Sequence, residues 1–147
     1  MVLTVLSPLG HLAIQKSKSR QSAVQSSQSA TPQVKLNQEA RDGNLAFVVT
    51  SVDTAQQTVS VHLTVKNVGN RPAFFWTDNQ RLWIGGRWFV PDKSVAAAAG
   101  TSRVALEPGK SAAVVLLFNV SSGDTAVDTI ELHDAALSAG ITVVPRP

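Results

Sequence analysis

The 147-residue chain contains no cysteine, which excludes disulfides, thiolate-held metals, a thiol nucleophile and a lipobox anchor together. A single methionine leaves no methionine-rich copper site. Charge is sparse, at 16% of residues, and acid is missing from the start. Residues 1–38 hold Lys16, Lys18, Arg20 and Lys35 and no acid, for +4; residues 39–147 hold nine basic and ten acidic side chains, for −1. The high sequence pI of ≈ 9.7 therefore belongs to the leading segment. The remainder lacks the basic stripe that a nucleic-acid-binding domain needs, so no nucleic-acid partner is expected.

Long hydrophobic runs are also lacking. "MVLTVLSPLGHLAI" (residues 1–14) is apolar but is interrupted by Pro8 and Gly10 and falls short of the roughly 20 residues of a membrane span. It has no basic start and no Ala-x-Ala-like cleavage spacing. Three readings fit it: the remnant of an export or anchor segment that would tether the protein to a membrane, an apolar tail, or an extra element packed on the domain. Residues 15–40 are rich in Ser and Gln with no sustained apolar period, the composition of a disordered basic linker that cannot offset its ordering entropy.

Catalytic patterns are missing too. There is no G-x-S-x-G elbow and no pair of histidines at metal-ligand spacing. "EPGKS" (Glu107–Ser111) ends like a phosphate loop but lacks the upstream glycine and enters a strand, so it reads as a turn. His62, His133 and Asp134 are the candidate metal or acid–base group. His133 and Asp134 are neighbours on an extended segment and point to opposite faces, so the three are assigned ordinary surface or turn roles, with Asp134 capping the turn "AALSAG" (residues 135–140). No catalytic residue, metal or cofactor is expected, and the chain reads as non-enzymatic.

What is present, over residues 41–147, is a series of short alternating segments separated by Gly, Pro and Asn. "TVSVHLTVKN" places Val59, Val61, Leu63 and Val65 on one face and Ser60, His62, Thr64 and Lys66 on the other. Pro108-Gly109 suits the centre of a type II turn. "SVAAAAG" (Ser94–Gly100) has helical character but is too short to stand alone. Seven to eight strands at this spacing, with no long helical pattern, predict an all-β fold: an immunoglobulin-like antiparallel β-sandwich behind a disordered N-terminal tail. Leu45, Phe47, Val49, Val59, Val61, Leu63, Val65, Leu82, Phe89, Val115, Leu117 and Ile130 are its expected core. The strand over Ser111–Val120 is apolar on both faces, which leaves its register open; Val115 and Leu117 are assigned inward.

The stretch "RLWIGGRWFV" (Arg81–Val90) mirrors two tryptophans about a Gly-Gly pair. A two-residue hairpin loop pairs Ile84 with Arg87, Trp83 with Trp88 and Leu82 with Phe89. Alternation then directs Leu82 and Phe89 to the core and places Arg81, Trp83, Trp88 and Val90 on the outer face, where they form either a stabilising cross-strand pair or an interaction surface. A register slip of one residue would instead bury both indoles. Trp76, in "FFWTDN", extends this surface or lies beneath it.

Three motifs in order, "HLTVKNVGNRP", "ALEPGKSAAVVLLFNV" and "IELHDAALSAGITVV", resemble the telokin-like immunoglobulin-fold domain of unknown function of secreted, lipid-anchored or membrane-tethered bacterial proteins, actinobacterial ones included. The resemblance rests on Val65 through Gly69, Pro108-Gly109, and Leu132 through Val143. It implies a sandwich, an extracytoplasmic setting and no catalytic residues to carry over. The expected role is thus a binding module of a bacterial envelope or secreted protein, with a protein or polysaccharide of the envelope as partner. The alternatives are a secreted structural or antigen-like domain without a dedicated ligand and a cytosolic protein with a basic nucleic-acid-binding tail.

Overall fold

Alternation of apolar and polar side chains produces the strands, and the turns between them follow from glycine, proline and asparagine. A computed structural model describes residues 31–121 and 126–146. The described residues form eleven strands in three sheets. A five-stranded sheet has the order β1 (Gln33–Lys35), β11 (Ile141–Val144), β10 (Thr129–Leu132), β6 (Arg81–Ile84), β7 (Arg87–Phe89); a four-stranded sheet has the order β2 (Glu39–Asp42), β3 (Leu45–Ala55), β4 (Thr58–Asn67), β9 (Ser111–Asn119); and β5 (Ala73–Trp76) pairs with β8 (Arg103–Leu106). The architecture is an all-β, immunoglobulin-like sandwich. Short strands at the sheet margins raise the count above seven or eight, and β1 runs parallel to β11 where every pair was expected to be antiparallel.

The ordered domain also begins earlier than residue 41. Part of the segment assigned to the linker is strand: Gln33–Lys35, and residues 39–40 as the start of Glu39–Asp42, because Val34 pairs with Val143 and Ala40 with Phe47. Residues 15–30 of the expected linker and the apolar stretch of residues 1–14 lie outside the described residues.

Between the two large sheets sit Leu45, Phe47, Val59, Val61, Leu63, Leu82 and Ile130, all essentially inaccessible. Phe47 meets Phe75 from β5 with ring centroids 6.0 Å apart. On β9 the facing is the reverse of the assignment: Val114, Leu116 and Phe118 are buried opposite Leu63, Val61 and Val59, whereas Val115 is 51% exposed and Leu117 half-buried. Pairing with β4 decides this, since residues directly opposite in a sheet share a face. Phe89 is half-buried at the sheet margin.

The Ala-rich run is a helix, α1 (Lys93–Ala99), because both ends are capped. The Asp92 carboxylate accepts from the amides of Ser94 and Val95, and Gly100 closes the helix at φ 70°. "EPGK" is the expected turn, with the Lys110 amide donating to the Glu107 carbonyl at 3.0 Å and Gly109 at φ 78°. No helix among the described residues is long and apolar enough to cross a membrane.

Candidate functional site

Gly85 and Gly86 both adopt positive φ, 55° and 87°, the backbone of a type I′ hairpin turn. The register follows: Leu82 opposite Phe89, Trp83 opposite Trp88, Ile84 opposite Arg87. Leu82 and Ile84 are buried, so the tryptophans take the outer face. The Trp83 carbonyl turns away from β7 and accepts from the Asp128 amide at 2.9 Å. Toward β7 the tryptophans are therefore a non-hydrogen-bonded pair, the closer-packed type. Their ring centroids lie 4.6 Å apart at 55°.

Trp83 is half-buried by its partner, and Trp88 remains 48% exposed. The Arg81 guanidinium stands 6.0 Å from the Trp88 ring centroid, the outer limit of a cation–π contact. Val90, one residue past β7, is exposed.

The strand registers extend this surface across the sheet. One row runs Trp88, Trp83, Thr129, Val144, Lys35 and the next runs Arg81, Glu131, Thr142, Gln33. Glu131 lies opposite Arg81, yet its carboxylate is taken by His133 Nε2 at 2.5 Å. That contact leaves Arg81 to lie over Trp88. Trp76 does not extend this sheet: it belongs to the β5–β8 pair, with Arg103 5.5 Å from its ring.

The three candidates for metal or acid–base chemistry are not brought together. His62 sits on β4 against Asp53, Nε2 to Oδ2 2.9 Å, and His133 follows β10 in the other large sheet. Far from being a surface residue, His133 is buried. Its Nδ1 lies 3.0 Å from the Ser138 carbonyl oxygen, its amide donates to Gln80 Oε1 at 2.7 Å and its carbonyl accepts from Gln80 Nε2 at 3.0 Å.

The turn cap is Asp42 rather than Asp134. Asp42 Oδ2 accepts from the Asp134 amide at 2.8 Å and from Ser138 Oγ at 2.5 Å, while Asp134 Oδ2 accepts from the Asn44 amide at 2.8 Å. Ser138 Oγ, His133 and Glu131 superficially resemble a nucleophile, base and orienting acid. However, Oγ lies 3.4 Å from Nδ1 and donates to Asp42 instead, so the imidazole does not activate it. The cluster ties the turn of residues 135–140 to β2. Gly140 belongs to it: at φ 76°, a Cβ there would lie 2.6 Å from His133 Cε1.

Asn67, from the first motif, is likewise structural. Fully buried, it donates to the carbonyls of Arg71 (2.7 Å) and Leu106 (2.9 Å) and accepts from the Gly69 amide at 2.9 Å. Sequence reasoning gave no role to Asn67, Gln80, Asp42 or Ser138. Asn67 continues the inward alternation of Val59, Val61, Leu63 and Val65, a signal that a polar side chain is buried, whereas Gln80, flanked by Asn79 and Arg81, carried no such signal.

A groove of about 410 Å³, not foreseen from the sequence, opens between α1 and β9. Pro91, Val95, Ala99, Val115 and Leu117 line it, with Thr77 and Thr101 among its polar groups. At its rim Asp92 holds a carboxyl pKa below the usual carboxylate range, chiefly through the Ser94 hydroxyl and then the Val95 amide, with the Ser94 amide and Asn119 adding to it. Among the described residues no group of three or more His, Asp or Glu is placed to hold a metal ion.

No curated protein sequence matches the chain. Solved structures of similar fold do exist. The yjhA protein of Bacillus subtilis is 15% identical, with a TM-score of 0.60 over 76% of this chain and 98% of that one. The secreted protein MPT63 of Mycobacterium tuberculosis is 10% identical, with a TM-score of 0.59 over 81% and 99%. At these identities the likeness speaks for the β-sandwich alone. The model of one family, Domain of unknown function (DUF4352), matches residues 34–142, a span from β1 into β11 that takes in the hairpin and both polar clusters, and the chain belongs to that family.

Proposed function

We propose that this domain is a non-enzymatic, extracytoplasmic binding module of the telokin-like immunoglobulin-fold kind, and that it docks a protein through the outer face of its five-stranded sheet. The observation that carries this reading is Trp88, a large ring left 48% exposed beside Trp83 and Arg81. Tryptophan and arginine are the residues that most often anchor protein interfaces. A protein suits the face better than a polysaccharide. The two indoles lean on each other at 55° instead of lying side by side with two flat faces open to successive sugars. The extracytoplasmic setting draws on the secreted mycobacterial structure of the same fold.

The competing reading, a secreted structural domain with no dedicated ligand, draws on the same ring–ring contact, which by itself steadies the hairpin. The deciding experiment places a photo-crosslinking side chain at Val90, exposed on the same face as the indoles, in cells that make the protein, with a control at Thr64 on the other sheet. A discrete, protease-sensitive adduct at Val90 alone, lost when Trp83 and Trp88 are both alanine, supports protein docking. A glycosidase-sensitive adduct transfers the site to a polysaccharide. No adduct at either position favours the structural role.

A further inference from the structure

The second aromatic surface, on the β5–β8 pair, has an unusual composition. Phe75 is buried, while its neighbours Phe74 and Trp76 point outward, 41% and 43% exposed. Across the ladder Phe74 faces Ala105 and Trp76 faces Arg103. The small Ala105 leaves the Phe74 ring bare, and the Arg103 guanidinium spans both rings, 4.7 Å from Phe74 and 5.5 Å from Trp76. A guanidinium held against two rings loses little rotamer freedom on binding.

Arg103 makes no ion pair among the described residues. Of the carboxylates next to the β5–β8 pair in sequence, Asp78 is paired with Lys93 at 3.8 Å, and Glu107 lies beyond the far end of β8. Elsewhere among the described residues the acids are already engaged. Asp53 and Glu131 are held by histidines, Glu39 and Asp128 by arginines, and Asp42, Asp92 and Asp134 by hydrogen bonds. The cation left uncompensated on this surface therefore seeks its carboxylate from outside.

The groove between α1 and β9 adjoins the same place. Thr77, which follows Trp76, donates its amide to the carbonyl of Ser102, which precedes Arg103, at 3.2 Å; Thr77 and Thr101 both line the groove. The charged aromatic platform thus opens directly onto an apolar slot.

We propose that Phe74, Trp76 and Arg103 together with this groove form a second binding site, for an extended peptide whose Asp or Glu carboxylate seats on Arg103 while a neighbouring apolar side chain enters the groove. The charge complementarity selects an acid, and the apolar lining selects Leu, Ile or Val beside it. This site stands apart from the tryptophan hairpin and does not depend on its role.

The test is a two-dimensional NMR titration of the whole chain with two end-blocked peptides, Leu-Asp-Val-Leu and its isostere Leu-Asn-Val-Leu. Expected are shifts at the Trp76 indole N–H, the Arg103 Nε–H and the Val95 and Val115 methyls, with the Asp peptide binding about fivefold more tightly. Arg103→Gln should abolish the preference for Asp while leaving the Asn peptide unaffected. Ala99→Phe, which fills the groove from the exposed face of α1, should weaken both peptides equally. Trp88→Ala should change neither titration, and the spectra themselves report that each variant is folded. Equal affinity for the two peptides, shifts confined to the hairpin, or no shifts up to about 5 mM peptide would overturn the proposal. So would tighter binding of an oligogalacturonate to the same residues, which would assign the site to an acidic polysaccharide.

Discussion

The polar clasp and the tryptophan hairpin handle exposure in opposite ways. Around Asp42, Asn67, Gln80 and His133 the chain buries polar side chains and gives every one a partner; among the described residues no buried side-chain nitrogen or oxygen is unsatisfied. At Trp83 and Trp88 it leaves apolar area in water. Five of the motif residues that carry the family resemblance, Asn67, His133, Asp134, Ser138 and Gly140, lie in the polar clusters, so the motifs describe how the sandwich is held. The candidate docking residues of the hairpin lie in a segment about which those motifs say nothing. Stability and binding are thus separable on this molecule, and variants should divide accordingly.

The largest loss is expected from Asn67→Ala, which strips partners from the Leu106 and Arg71 carbonyls and the Gly69 amide. At about 1–3 kcal/mol for an unsatisfied buried group, urea denaturation should show a loss of about 3 kcal/mol. A loss under about 1 kcal/mol would mean that water replaces the side chain and that the clasp is looser than its geometry.

Next is Asp42→Ala, which frees the Asp134 amide and Ser138 Oγ. It should cost about 2 kcal/mol and raise hydrogen exchange across residues 133–140, while leaving the Val90 crosslink intact. Loss of the crosslink together with stability would join the two regions and end the contrast.

Trp88→Ala should behave the other way round. A cross-strand aromatic pair contributes roughly 0.2–1 kcal/mol, so the shift in denaturation midpoint should be small while docking is lost. A loss of about 3 kcal/mol or more, the scale of a core aromatic truncation, would class the indole as core.

The smallest effect concerns acid. Asp92 has a folded pKa below its ordinary value, so the stability it contributes is fully present above the unfolded carboxylate range near 3.9. That contribution is lost as pH falls through the lower folded value. Asp92→Asn keeps a good N-cap and removes the titration, so it should flatten the acid limb of the stability profile measured between about pH 5 and 2. An unchanged limb would assign the acid sensitivity to other carboxylates.

Legibility followed the range of the interactions. The tryptophan register was readable because Gly85-Gly86 is a local device: two positive-φ residues set the turn, and the turn sets every pair in the hairpin. The strands β3 and β4 and the turn at Pro108-Gly109 were readable for the same reason. On β9, by contrast, "SAAVVLLFNV" is apolar on both faces, so alternation carries no information, and the choice of Val114, Leu116 and Phe118 over Val115 and Leu117 came from pairing with β4. The strands within residues 33–42 escaped notice because short marginal strands bury one or two side chains each, too few to form a period.

By itself the amino-acid sequence determined an all-β chain, its turns and the hairpin, and favoured the outward direction of Trp83 and Trp88 over a register slip, all of which depend on contacts between near neighbours. The tertiary structure alone decided that His133, Asn67 and Gln80 are buried and satisfied, that Asp42 rather than Asp134 caps the turn, and that Arg103 spans two rings beside a groove. Each of these joins side chains from segments tens of residues apart, and no local pattern encodes which of them will meet.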